Sequence, residues 1–136
     1  VIAPDSSVVI AALGSWHPAH RASRAALAGE ERRLVGHVAF EATSVLSRMP
    51  EPYRMLPTVV VDALDRISTS PWLALDAASQ HSCLRRAVAN GLSGGALYDA
   101  LIAATAREHG ATLLSADRRA REAYEAMGAE VAYLDG

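Results

Sequence analysis

Apolar positions along this chain fall into two kinds of run. Short, nearly unbroken apolar stretches predict buried strands: VIAP at the start, RLVGHVAF over 33–40, WLALD over 72–76, ATLLSAD over 111–117 and AEVAYL over 129–134. Between them, apolar residues recur at helical spacing. In FEATSVLSRM, the residues Ala42, Val45, Leu46 and Met49 fall on one helix face. SSVVIAALGS opens on serines suited to capping, and HPAHRASRAALAGE and PTVVVDALDRIS each carry a proline early, where a helix tolerates it. AASQHSCLRRAVANGL follows the third strand, and RRAREAYEAMG ends on a glycine suited to closing a helix. GLSGG over 91–95 is the clearest turn and introduces YDALIAATA. Strands alternating with helices predict an α/β fold with a parallel sheet covered on both faces. No repeat, low-complexity tract or long linker divides residues 1–136, so one domain is expected.

Four acids break this apolar pattern alone. Asp5 is the only charged side chain before Arg21, at the end of the first strand. Glu41 is the only formal charge between Arg33 and Arg48, just after the second predicted strand. Asp99 stands by itself between Arg86 and Arg107, on a helix apolar nearly all round, and Asp117 closes TLLSAD. Open parallel sheets form their sites outside the carboxyl ends of the strands, where Asp5 and Asp117 fall and Glu41 is near. Each acid alone is open to a plainer reading as a helix cap or a hydrogen-bonded core group, and Asp76 in LALDAAS is expected to cap. Glu30, Glu31, Glu51, Asp62, Asp65, Glu108, Glu122, Glu125, Glu130 and Asp135 lie in mixed-charge or polar stretches that predict solvated surface.

Were the four to converge, repulsion would be large: two like charges about 4 Å apart cost about 4 kcal/mol at an effective dielectric of about 20. Protons or cations must offset it. Oxygen ligands without thiolates or clustered imidazoles favour Mg²⁺ or Mn²⁺, which in phosphodiester hydrolysis activate water and stabilise the leaving oxygen.

Composition narrows the choices. The formal net charge is −2, so no bulk cationic field announces nucleic-acid binding, and a polyanion must be met by a local patch or through metal ions. Cys83 is the single cysteine, which excludes disulfides and thiolate metal sites within one chain. No apolar run approaches membrane-spanning length and no secretory layout opens the sequence, so a cytoplasmic protein without membrane contact is expected. All 13 basic residues are arginine. The absence of lysine excludes a receiver-like phosphoacceptor domain, whose chemistry uses a lysine beside the phosphoaspartate. A phosphohydrolase with an aspartate nucleophile wants a second acid two residues on, where this chain has Ser7.

PDSSVVIAAL, FEATSVLSR, YDALIAATARE behind its glycine-rich turn, and LLSADRRAREAYEAMGAEV, in this order and spacing, resemble PIN-domain ribonucleases, and within them the VapC-type toxins of bacterial toxin–antitoxin pairs. The resemblance runs nearly end to end. It implies a three-layer fold around a parallel five-stranded sheet, with Asp5, Glu41, Asp99 and Asp117 as the catalytic, metal-binding quartet. Ser6 and Ser115 take the places of supporting hydroxyls, often threonine in the family. It further implies an Mg²⁺- or Mn²⁺-dependent endoribonuclease of RNA, checked by a cognate VapB-like antitoxin, and a homodimer. The stripe Val59, Val60, Ala63, Leu64 and Ile67 is a candidate interface. Arg85, Arg86, Arg118 and Arg119 are candidates for RNA contact, since guanidinium groups suit bidentate phosphate binding. A PIN-like module that binds RNA or protein without cutting is the alternative.

Other features carry less. His17 and His20 are expected at the surface or in a loop, His37, His81 and His109 as isolated structural residues, and Cys83 as a buried thiol. Trp16 and Trp72 are expected in the core or an interface.

Overall fold

The computed structural model describes residues 1–68 and 70–134; Asp135 lies outside them. Three strands pair in parallel in the order β1 (Ile2–Pro4), β2 (Thr112–Ser115), β3 (Val131–Tyr133). Ile2 sits beside Thr112 and Leu113 beside Val131. Two isolated parallel bridges carry the alignment outward on the other side of β1, from Ile2 to Arg32 and from Val35 to Leu73. Val35 and Leu73 lie in the second and third predicted strands, and Arg32 immediately precedes the second. Leu73 donates its amide to Leu34 and accepts one from Gly36.

Among the described residues seven helices connect and cover these segments: α1 (Ser6–Leu13), α2 (His20–Ala28), α3 (Gly36–Ser47), α4 (Pro57–Ile67), α5 (Ala77–Ala89), α6 (Ala96–Glu108) and α7 (Arg121–Ala126), the last preceded by a single 3₁₀ turn over Arg118–Ala120. None is long and apolar enough to cross a membrane. The helix boundaries follow local chemistry. Pro57 begins α4 where its missing N–H is harmless, and Asp76 caps α5 by accepting from the Ser79 amide at 2.8 Å. The turn before α6 uses Gly91 and Gly94 at φ of +80° and +58°, a region closed to most side chains.

The predicted strand over 33–40 is corrected. Extended backbone ends at Val35, and α3 begins at Gly36. LVGHVAF satisfies both periodicities, because Val38, Ala39, Ala42 and Leu46 also make a buried helix face. Glu41 consequently lies in mid-helix rather than at a strand end.

α6 is buried along Ala100, Ile102, Ala103, Thr105 and Ala106, with small side chains that let neighbouring elements approach closely. It packs against α5, α7 and β2. One large core joins Ala3, Val9, Leu34, Leu46, Leu64, Ile102 and Leu113, and a smaller one gathers Ile2, Val8, Ala12, Leu27 and Leu114 between α1 and α2. Of the stripe proposed for dimerisation, Val60, Ala63 and Leu64 are buried within the chain itself, leaving Val59 exposed.

Candidate active site

Asp5 follows β1 directly and is 2% exposed. Burying a carboxylate is costly unless donors meet it, and here several do. Its Oδ1 accepts from the Ser7 hydroxyl at 2.5 Å and from the Val8 amide at 3.1 Å, while Oδ2 accepts from the Tyr124 hydroxyl at 2.7 Å. Burial pushes the Asp5 carboxyl above its ordinary value; the hydroxyls of Ser115, Ser7 and Tyr124 and the Val8 amide pull it back. Asp5 is thus both the cap of α1 and a fixed site acid.

Asp117 lies two residues beyond β2, the neighbour of β1, and so on the same sheet edge. Its Oδ1 accepts from the Arg119 amide at 2.9 Å and stands 3.3 Å from Arg119 Nε. The Ser115 hydroxyl accepts the Asp117 amide at 3.0 Å. The Ser7 hydroxyl accepts the Ala116 amide at 3.0 Å, tying the β1–α1 junction to the end of β2.

Asp99 is in the first turn of α6. It is half-buried, and among the described residues its carboxylate has no hydrogen-bond donor. Burial raises its pKa first, and the charges of Glu41, Asp117 and Asp5 raise it further, to about 6, with His37 pulling the other way. All three of the other acids therefore act on it. Tyr124 senses the same field: burial, then Asp5, Asp99 and Asp117, hold its proton far above the usual phenol range. Glu41 projects from α3, with Oε2 at 3.5 Å from His37 Nε2, one helical turn away.

The four singled-out acids are all buried or half-buried, whereas Glu30, Glu31, Glu51, Asp62, Asp65, Glu108, Glu122, Glu125 and Glu130 are all exposed. Among the described residues, no three acid, histidine or cysteine side chains stand close enough to clasp a metal ion directly.

The family model for the PIN domain matches residues 2–126. This chain belongs to the PIN domain family. This PIN domain is 43% identical over 131 residues to Ribonuclease VapC40 of Mycobacterium tuberculosis, covering 96% of this chain and 97% of that one. It is 39% identical over 131 residues to Ribonuclease VapC27 of the same organism, covering 96% and 94%. Its fold superposes on VapBC2 from Rickettsia felis, solved bound to a DNA fragment from their promoter, with a TM-score of 0.69 at 13% identity and 98% coverage of both chains.

The hydroxyls around the PIN-domain site differ from expectation. Ser7 rather than Ser6 holds Asp5; the buried Ser6 Oγ has no partner. The capping group of α1 is Asp5 itself rather than a serine. Ser115 sits beside Asp117, its hydroxyl accepting that residue's amide. Tyr124 and His37 were missed. Tyr124 carries a faint signal: with Ala120, Ala123 and Met127 it forms the buried face of the last helical segment, and a buried phenol needs a partner. His37 is an i, i+4 neighbour of Glu41, a relation visible only once α3 is known to start at Gly36. Of the arginines, Arg118 and Arg119 follow Asp117 and are exposed, Arg118 lying 4.9 Å over the Tyr133 ring. Arg85 is exposed on α5. Arg86 instead lines a cavity with Arg107, Glu108 and Asp76 by the C-terminal end of α6, away from Asp99.

Proposed function

We propose that this PIN domain is a VapC-type toxin, an Mg²⁺- or Mn²⁺-dependent endoribonuclease whose site residues are Asp5, Glu41, Asp99 and Asp117. One observation carries the reading: the half-buried Asp99 carboxylate faces the charges of Glu41, Asp117 and Asp5, opposed only in part by His37, and has no hydrogen-bond donor among the described residues. Such an arrangement carries an excess of negative charge that a cation would balance. The donors are oxygens, which suit Mg²⁺ or Mn²⁺. When bound, the metal supplies an activated water and stabilisation of the leaving oxygen.

The chain's own residues do the rest. Ser7, Tyr124 and Val8 fix Asp5 in one orientation. Ser115 and the Arg119 amide fix Asp117. Asp99, raised to about 6 by burial and then by the charges of Glu41, Asp117 and Asp5, can take up or release a proton near neutrality. Arg118 and Arg119 offer guanidinium groups to RNA phosphates beside Asp117.

A VapB-like antitoxin is the proposed partner in the cytoplasm. A segment of it lays apolar residues along the cleft and inserts an Arg or Lys toward Asp5 and Asp99, where charge-assisted hydrogen bonds replace the metal. A homodimer is the proposed assembly. The test is incubation with total cellular RNA and Mg²⁺ or Mn²⁺, with cut ends mapped. Cleavage that stops on chelation and returns with metal is the expected result. Cleavage indifferent to chelation overturns the metal-dependent mechanism, and no cleavage at all favours the non-cutting binding module.

A further inference from the structure

The rings of His37 and Tyr98 lie parallel, 2° from coplanar, with centroids 4.9 Å apart. They come from α3 and α6, the two helices that carry Glu41 and Asp99. His37 contacts Glu41, and Tyr98 immediately precedes Asp99. Tyr98 is nonetheless 55% exposed, so core packing does not account for its placement. It also walls a recess of about 630 Å³ between α5 and α6, with Leu84, Leu97 and Leu101 as apolar lining and Gln80 and His81 as polar edges. One turn along α3 from His37, Phe40, the only phenylalanine of the chain, is 73% exposed and meets Trp72 edge-on at 6.4 Å.

We infer that Tyr98, braced by His37, is the surface on which an unpaired nucleobase of the RNA stacks beside the scissile phosphate. The inference rests on the ribonuclease reading above and adds a substrate-binding residue to it. An acidic site in a chain of net charge −2 attracts a polyanion poorly, so binding must draw on something other than charge. Base–aromatic stacking does this, and single-stranded RNA presents bases free to stack. A phosphate among the four acids leaves its neighbouring base at the adjoining surface, which is the Tyr98 ring. His37 holds that ring in one plane, reducing what must be ordered on binding, and is a positioning residue.

The test uses the wild-type protein to map a cut in total RNA, then a synthetic single-stranded RNA carrying that cut, either intact or with one abasic nucleotide flanking it. An abasic nucleotide on one side should raise the wild-type KM about tenfold or more, with kcat little changed. Tyr98→Ala should raise KM by a similar factor on intact RNA and lose its sensitivity to the abasic position, while Tyr98→Phe and Tyr98→Trp retain both. A wild-type KM in Tyr98→Ala, or no abasic effect at either flank in the wild type, overturns the inference. So does a change in sedimenting mass on Tyr98→Ala, which assigns the ring to a protein interface. If the wild type cuts no RNA, the ribonuclease reading fails separately. Fluorescence anisotropy of a labelled mixed-sequence single strand then decides Tyr98: weaker binding in Tyr98→Ala but not Tyr98→Phe supports it, and equal binding overturns it.

Discussion

At the β1–α1 junction a carboxylate that is 2% exposed is met by two hydroxyls and a backbone amide; in the first turn of α6 a carboxylate only half-buried is met by no donor among the described residues. Asp5 is the more deeply buried, yet it is the better accommodated. The difference separates two uses of an acid in apolar surroundings. Asp5 belongs to the framework as much as to the site, because removing it strands donors in a dry interior. Asp99 contributes little to holding the fold, and its isolation keeps an unbalanced charge facing the other acids. A site for a cation needs both: ligands that cannot move and a field that is not already neutralised.

The contrast is sharpest in activity. Asp99→Asn should reduce RNA cleavage by about a hundredfold or more, the loss of about 3 kcal/mol of transition-state stabilisation, while circular dichroism shows an unchanged fold. A variant that cuts at the wild-type rate removes Asp99 from the chemistry. Asp5→Ala should behave differently, lowering the unfolding free energy in urea by about 2–4 kcal/mol, because the Tyr124 and Ser7 hydroxyls and the Val8 amide lose their acceptor. A loss within about 0.5 kcal/mol would show that the junction does not depend on the carboxylate. Tyr124→Phe deletes one donor to Asp5 and should cost about 1–2 kcal/mol by the same measurement.

The smallest effect carries a pH signature. The folded-state pKa of Asp99, about 6, lies above the ordinary value of 3.8. The folded protein therefore holds this proton more tightly than the unfolded chain, and metal-free stability falls as pH rises from about 4 through about 6. Since Asp99 is half exposed and screened by solvent, the penalty above that window is on the order of 1 kcal/mol. Metal-free Asp99→Asn should be more stable than the wild type by that amount at pH 7.5 and equal to it near pH 4. Mg²⁺ should narrow the gap at pH 7.5 by stabilising the wild type. An advantage for Asp99→Asn that is constant across pH would mean that charge is not its source.

Much of the site was legible because an isolated acid in an apolar run has little freedom. Each of Asp5, Glu41, Asp99 and Asp117 sits within an apolar run, so wherever the apolar residues go, these acids go with them. The acids in mixed-charge stretches were equally legible, and all that are described lie at the surface. What could not be read was orientation. Ser6 and Ser7 are chemically identical neighbours, and only the 100° step between successive helical residues decides which hydroxyl faces Asp5. His37 was hidden by the strand reading of 33–40, since a strand places residues 37 and 41 on one face but too far apart to pair. Tyr124 lies 119 positions from the carboxylate it serves, a relation that exists only in the folded chain. The sheet was legible in its parallel sense and in three of its predicted strands, while two further segments meet their neighbours through single bridges.

The stitch from Ser7 to Ala116 joins residues 109 positions apart, and Tyr124 reaches Asp5 from farther still. During synthesis, Asp5 leaves the ribosome long before either partner does. The emerging chain can cover its apolar helices, but β1 has no β2 to lie against and Asp5 has no phenol above it. The acidic pocket is therefore completed only once Ala116 and Tyr124 have emerged, and a chain whose synthesis stops before Thr112 carries the early acids without these partners to hold them in place. Assembly of the acidic cluster thus waits on chain that lies more than a hundred residues downstream of its first acid.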